Sequence, residues 1–151
     1  MTWDLVFSVT NTLALVAWIA LIALPRWPAL LSAILYLGVM ILCAVYVVAL
    51  GLLVAGIVAP GGVPASDPSF TTISGVQSLF ATRGGAVIGW THYLAFDLFA
   101  GLWIARDADA KGFSRPVQAP VLLATFLAGP LGLLVWLIIR EKRARKAGRP
   151  R

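Results

Sequence analysis

A chain of 151 residues that is 60% hydrophobic and only 12% charged has about half the charged fraction of an ordinary soluble domain, which excludes one and fits a single small unit of membrane helices. The net charge of +6 does not mark a nucleic-acid surface, because seven of the twelve Lys and Arg lie in the final REKRARKAGRPR. With Cys43 as the single cysteine, a disulfide framework is excluded.

The opening MTWDLVF has no basic n-region, so no secretory signal or transit peptide is expected, and the chain reads as a bacterial inner-membrane protein. A first span is predicted over about 3–24. It ends at Pro25-Arg26-Trp27-Pro28, where proline breaks the helix and tryptophan anchors at the interface. Asp4, Ser8 and Asn11 form one polar stripe on it, and Asn11 is deep enough to meet another helix.

A second span is predicted over 29–58, roughly 45 Å of helix against a hydrocarbon core of about 30 Å, so it must tilt or protrude. Helical spacing puts Tyr36, Cys43 and Tyr46 near one face, which is expected to point inward because a tyrosine hydroxyl in lipid needs a partner. A loop follows over 60–72, then a short interfacial helix around 73–82 with Ile73, Val76, Leu79 and Phe80 on one face.

The third span, 85–105, carries the only histidine, His92, and an aspartate, Asp97, near its midpoint. Ionisable groups inside a bilayer cost roughly 2.5–3.5 kcal/mol or more each, and function is the default explanation for that cost. Gly85-x-x-x-Gly89 near its start permits close approach of another backbone. The Asp107-x-Asp109 spacing after it is not a calcium loop, because Gln118 stands at the twelfth position, so surface ion pairs are expected there. A fourth span is predicted over 120–139, interrupted by Gly129-Pro130, where an internal proline kinks a helix beside a cavity or another helix.

The expected fold is an all-α membrane protein: four transmembrane helices in one bundle over 1–139, and a basic cytoplasmic tail, 140–151, that meets anionic lipid head groups rather than nucleic acid. With four spans, eight Lys and Arg fall on the side of the termini and four on the other, so both termini are expected in the cytoplasm. Depths counted along the helices bring Asn11 and His92 to about 10–12 Å, and Tyr46, Asp97 and Thr125 to about 18–21 Å. These residues are expected to line one polar cavity, with Pro130 shaping its wall.

The run Gly89-Trp90-x-His92-Tyr93-Leu94-Ala95-Phe96-Asp97-Leu98-Phe99-x-Gly101-x-Trp103 resembles the ABA4-like family of small four-span membrane proteins. So do Arg106-Asp107, Thr125-Phe126-x-x-Gly129-Pro130-x-Gly132-Leu133, Asn11-x-Leu13-Ala14-Leu15 and Gly75-Val76-x-x-Leu79-Phe80. The plant protein that names the family is required for neoxanthin formation from violaxanthin. The resemblance implies a carotenoid or similar apolar terpenoid as ligand and an isomerisation that opens an epoxide to an allenic alcohol. That reaction is neutral in atoms and electrons. It needs an acid for the oxygen and a base for a carbon-bound proton, but no redox cofactor. The sequence holds no dinucleotide fingerprint, P-loop, CxxC or multi-His site, and no cofactor or metal is expected. Asp97 as acid and His92 as base are the catalytic candidates; Asn11, Tyr46, Tyr93, Thr125 and Pro130 are the candidate ligand contacts. The alternative is a non-catalytic pigment- or lipid-binding scaffold in which these polar groups only join helices.

Overall fold

A computed structural model describes residues 2–63 and 67–147, with side chains as far as Glu141. The described residues are all-helical, without strands: α1 (Trp3–Ala23), α2 (Pro28–Val54), α3 (Ile73–Ala81), α4 (Arg83–Ala110), α5 (Arg115–Leu127) and α6 (Gly129–Ala147). Three of them, α1, α2 and α4, are long and apolar enough to cross a membrane. Residues 64–66 of the expected loop and 148–151 of the basic tail lie outside the described residues.

The helices divide into two compact units, residues 1–15 with 40–95, and residues 16–39 with 96–151. In the first unit, Trp3, Ala49, Val87 and Ile88 form a small core. The Trp3 indole donates to Ala59 O at 2.9 Å, and the Gly84 N–H donates to Pro60 O at 2.8 Å, which ties the loop after α2 to the starts of α1 and α4. Helix α2 ends at Gly56, whose φ of +69° lets the chain reverse while Ile57 N–H bonds back to Leu52 O.

Helix α3 forms where the spacing places it, capped by Thr72 Oγ1 accepting from Gly75 N–H at 3.1 Å. Its buried residues are the small Gly75 and Ser78, while Ile73 is 81% exposed, so its apolar side faces outward. The Gly85–Gly89 pair serves this helix: the Leu79 carbonyl lies against Gly85 and the Phe80 ring against Gly89, leaving no room for a Cβ at either.

Two expectations need correction. The face expected to point inward on α2 does not: Tyr36 is 56% exposed, Cys43 is exposed and Tyr46 is half-buried. The packed face is instead that of Ile34, Gly38, Leu42 and Ala49, which runs through a π-helical stretch, Ile34–Met40, and Gly38 there lets Ala17 and Leu98 approach closely. The fourth span, expected as one helix over 120–139, is divided between α5 and α6 at Ala128, whose backbone is extended at φ −156° and ψ 86°. Pro130 has no N–H to give Phe126 O, so the helix cannot pass through. Instead α6 starts afresh, with Leu131 and Gly132 N–H bonding to Ala128 O.

In the second unit α5 and α6 fold back on each other. Gly132 lies against the backbone and hydroxyl of Thr125, with no space for a Cβ. Further out, the Phe113 and Trp136 rings meet edge to face with centroids 5.0 Å apart. Helix α6 continues through 139 without a boundary, so Arg140 is helical.

Candidate functional site

The first unit holds the candidate residues Asn11, Tyr46, His92 and Tyr93. Asn11 meets another helix as expected: its Oδ1 accepts from Trp90 Nε1 at 3.0 Å, and its Nδ2 donates to Phe7 O at 2.7 Å. Trp90 belongs to the family motif, and its indole N–H lies about one helical turn from Asn11's expected depth, which is the signal in the sequence for this pairing. The His92 ring is exposed on its unit and lies beside the Tyr46 ring, centroids 5.5 Å apart and tilted by 55°. Tyr93 is 56% exposed. Between α1 and α2 runs an open groove of about 450 Å³, lined by Leu5, Val6, Val9, Thr10, Ala44, Val45, Val48 and Ala49. The Thr10 hydroxyl is used up on Val6 O and Phe7 O, so the groove is apolar in character.

Replacing Trp90 by phenylalanine keeps most of the ring and removes the donor to Asn11. Bonds of this kind between membrane helices average about 0.6 kcal/mol and reach about 1.7. A drop of no more than a few degrees in the midpoint of thermal unfolding in detergent is the expected result.

The second unit holds Asp97, Thr125 and Pro130. The half-buried Asp97 carboxylate accepts the backbone N–H of Gly129, the first residue of α6. It lies so close to Gly129 Cα that a Cβ there would overlap it. A helix start in apolar surroundings exposes unpaired N–H groups and the positive end of the helix dipole, and a carboxylate answers both. Thr125 is fully buried, and its hydroxyl donates to Val121 O of its own helix at 2.8 Å. Pro130 is exposed beside Gly129.

The same unit contains a polar cluster that sequence reasoning took for surface ion pairs. The Arg26 side chain is 2% exposed. It donates to Asp109 Oδ1 at 3.1 Å, to Leu21 O at 3.1 Å and to the fully buried Gln118 Oε1. Burial lowers its guanidinium pKa and Asp109 opposes that shift. Gln118 Nε2 in turn donates to Asp109 Oδ1 at 2.9 Å and Phe113 O at 2.7 Å. Beside it, the Asp107 carboxylate accepts from Trp136 Nε1 at 3.0 Å, Lys111 Nζ at 2.6 Å and Arg140 Nη2 at 3.2 Å. The Arg140 guanidinium stacks over Trp103 at 5.3 Å. Arg26 lies 83 positions from Asp109, so no local spacing announces the pair. Among the described residues no group of three or more His, Cys, Asp or Glu could hold a metal ion.

A family model described as ABA4-like (ABA DEFICIENT 4-like) matches residues 5–136, most of the chain. The chain belongs to the ABA4-like family. The matched stretch includes the groove, the Asn11–Trp90 and Tyr46–His92 contacts, and the Asp97–Gly129 junction that opens α6. No curated protein and no solved structure matches this ABA4-like chain.

Proposed function

We propose that this ABA4-like protein holds a carotenoid or similar apolar terpenoid within a bacterial cell membrane. The observation that supports the reading best is the apolar groove between α1 and α2. Such a concave, apolar surface suits a rod-like hydrocarbon and offers nothing to a polar solute. The basic segment from Arg140 onward contacts anionic lipid head groups. Asp97, Thr125 and Asn11 are engaged by neighbours that shape the fold, which favours a pigment- or lipid-binding scaffold.

A second reading, cofactor-free isomerisation of the bound terpenoid, draws on His92, whose ring is exposed beside Tyr46. In that reading His92 is the base that removes the carbon-bound proton, while an acid protonates the epoxide oxygen. Ala44→Phe, which fills the groove, and His92→Gln separate the two. The protein is purified from a carotenoid-producing host, and both the co-purified pigment and the pigment composition of the cells are measured. Binding predicts that Ala44→Phe loses at least most of the co-purified pigment while still eluting as a folded species. Pigment retained by Ala44→Phe would overturn the groove assignment. The isomerase reading also requires that expression change pigment composition and that His92→Gln abolish the change; composition unaffected by expression leaves the scaffold alone.

A further inference from the structure

We infer that α5 and α6 form a re-entrant hairpin, entering the membrane and leaving on one side, so that the Trp3 end of α1 faces outside and the Arg140 end of α6 faces the cytoplasm. The tip of the hairpin lies level with the middle of α4. Gly129 sits on Asp97, and the Phe126 ring packs on Trp18, centroids 5.5 Å apart. Both open ends of the hairpin lie level with the C-terminal end of α4. Gln118 bonds to Asp109 at the start of α5, while Trp136 and Arg140, where the apolar part of α6 gives way to its basic part, bond to Asp107. A helix crossing the whole membrane antiparallel to α4 would instead end level with Gly85.

The lengths agree. From Asp97 to Asp107 is about 15 Å of helix, and from Gly129 to Arg140 about 16 Å, each near half of a hydrocarbon core of about 30 Å. The apolar run of α6 from Gly129 to Ile139 is too short to span, and segments of such length are typical of re-entrant elements. Backbone that breaks at mid-depth is tolerated when protein groups satisfy it, and the Asp97 carboxylate does so for Gly129 N–H. This gives the intramembrane aspartate its reason.

The charge distribution follows. With three crossings and a hairpin, Arg26, Arg106, Lys111, Arg115 and the seven cations from Arg140 onward share one face, and Arg83 stands alone on the other. Eleven against one is a far steeper asymmetry than the eight against four of a four-span arrangement, and it places the rich face in the cytoplasm. That face carries three acids, Asp107, Asp109 and Glu141, against its eleven cations, and meets the anionic inner leaflet along the connector at 111–114 as well as the tail.

Three loops and the N-terminus change sides between the arrangements, and the loops at 67 and 114 carry the test. Asp67→Cys and Ser114→Cys are introduced separately into a Cys43→Ala background and treated with a membrane-impermeant maleimide, in intact spheroplasts and in inverted vesicles. The hairpin predicts that Asp67→Cys is labelled only in spheroplasts and Ser114→Cys only in inverted vesicles. The reverse pattern, or labelling of either site from both faces, would overturn it. An epitope at the N-terminus of the unsubstituted chain guards against misfolded variants: removal by external protease is expected, and protection overturns the inference.

Discussion

Gly129→Ala is expected to lower the midpoint of thermal unfolding in detergent by about 6–20 °C, or to prevent recovery of folded protein. The added methyl overlaps the Asp97 carboxylate, which has no slack, because it is bonded to the same residue's N–H. Overpacking costs about 1–3 kcal/mol, and a hydrogen bond to a charged group about 1.5–3, so a combined loss of about 3–5 kcal/mol is expected. For a chain of this size each kcal/mol moves the midpoint by roughly 2–4 °C. Asp97→Asn and Asp97→Leu divide the cause. Asparagine keeps an oxygen to accept from Gly129 and should retain most of the stability, whereas leucine removes the acceptor and should behave like Gly129→Ala. Equal losses for asparagine and leucine would mean that the carboxylate matters for its charge rather than as an acceptor at the helix start.

Arg26→Ala is expected to cost about 3 kcal/mol, at the low end for truncating a buried ion pair, because Asp109 keeps partial access to solvent. The larger part of the loss falls on Gln118, which is fully buried and keeps only its two donor bonds. Arg26→Lys should recover part of it. An ammonium reaches one or two of these acceptors but cannot serve Leu21 O, Asp109 and Gln118 together as the planar guanidinium does. Thermal unfolding of the three proteins in one detergent measures the order. Arg26→Ala as stable as the parent would show that the cluster contributes nothing net.

What the sequence disclosed and what it hid divide along physical lines. Three helices long and apolar enough to cross a membrane, α1, α2 and α4, were legible because an apolar run of the right length has few alternatives to a helix. The interruption at Gly129-Pro130 was legible as well, but not its angle. A proline removes one hydrogen bond and says nothing about whether the chain bends slightly or folds back. That is decided by Gly132 admitting Thr125, and by an acceptor some thirty positions earlier. The Tyr36–Cys43–Tyr46 face was misread because a tyrosine hydroxyl does not by itself turn a helix inward; the packed face follows Ile34, Gly38, Leu42 and Ala49. Asn11 was read correctly as a residue that meets another helix, since an amide inside lipid must find a partner. The Arg26–Asp109–Gln118 cluster was missed because charged residues at a helix end are usually solvated, and only tertiary structure shows which ones the connector covers.

The Asp4–Arg83 ion pair acquires a meaning beyond packing when the chain is inserted in the inferred sense. A cation carried outward against an inside-negative membrane works against about 2.3 kcal/mol for every 100 mV. Arg83, bonded to Asp4 across the starts of α4 and α1, stands there as half of a neutral pair. The voltage therefore does no net work on that pair once the chain is folded. Replacing Asp4 leaves Arg83 as an unpaired cation on the outer face, and only then should depolarisation change the stability of that end.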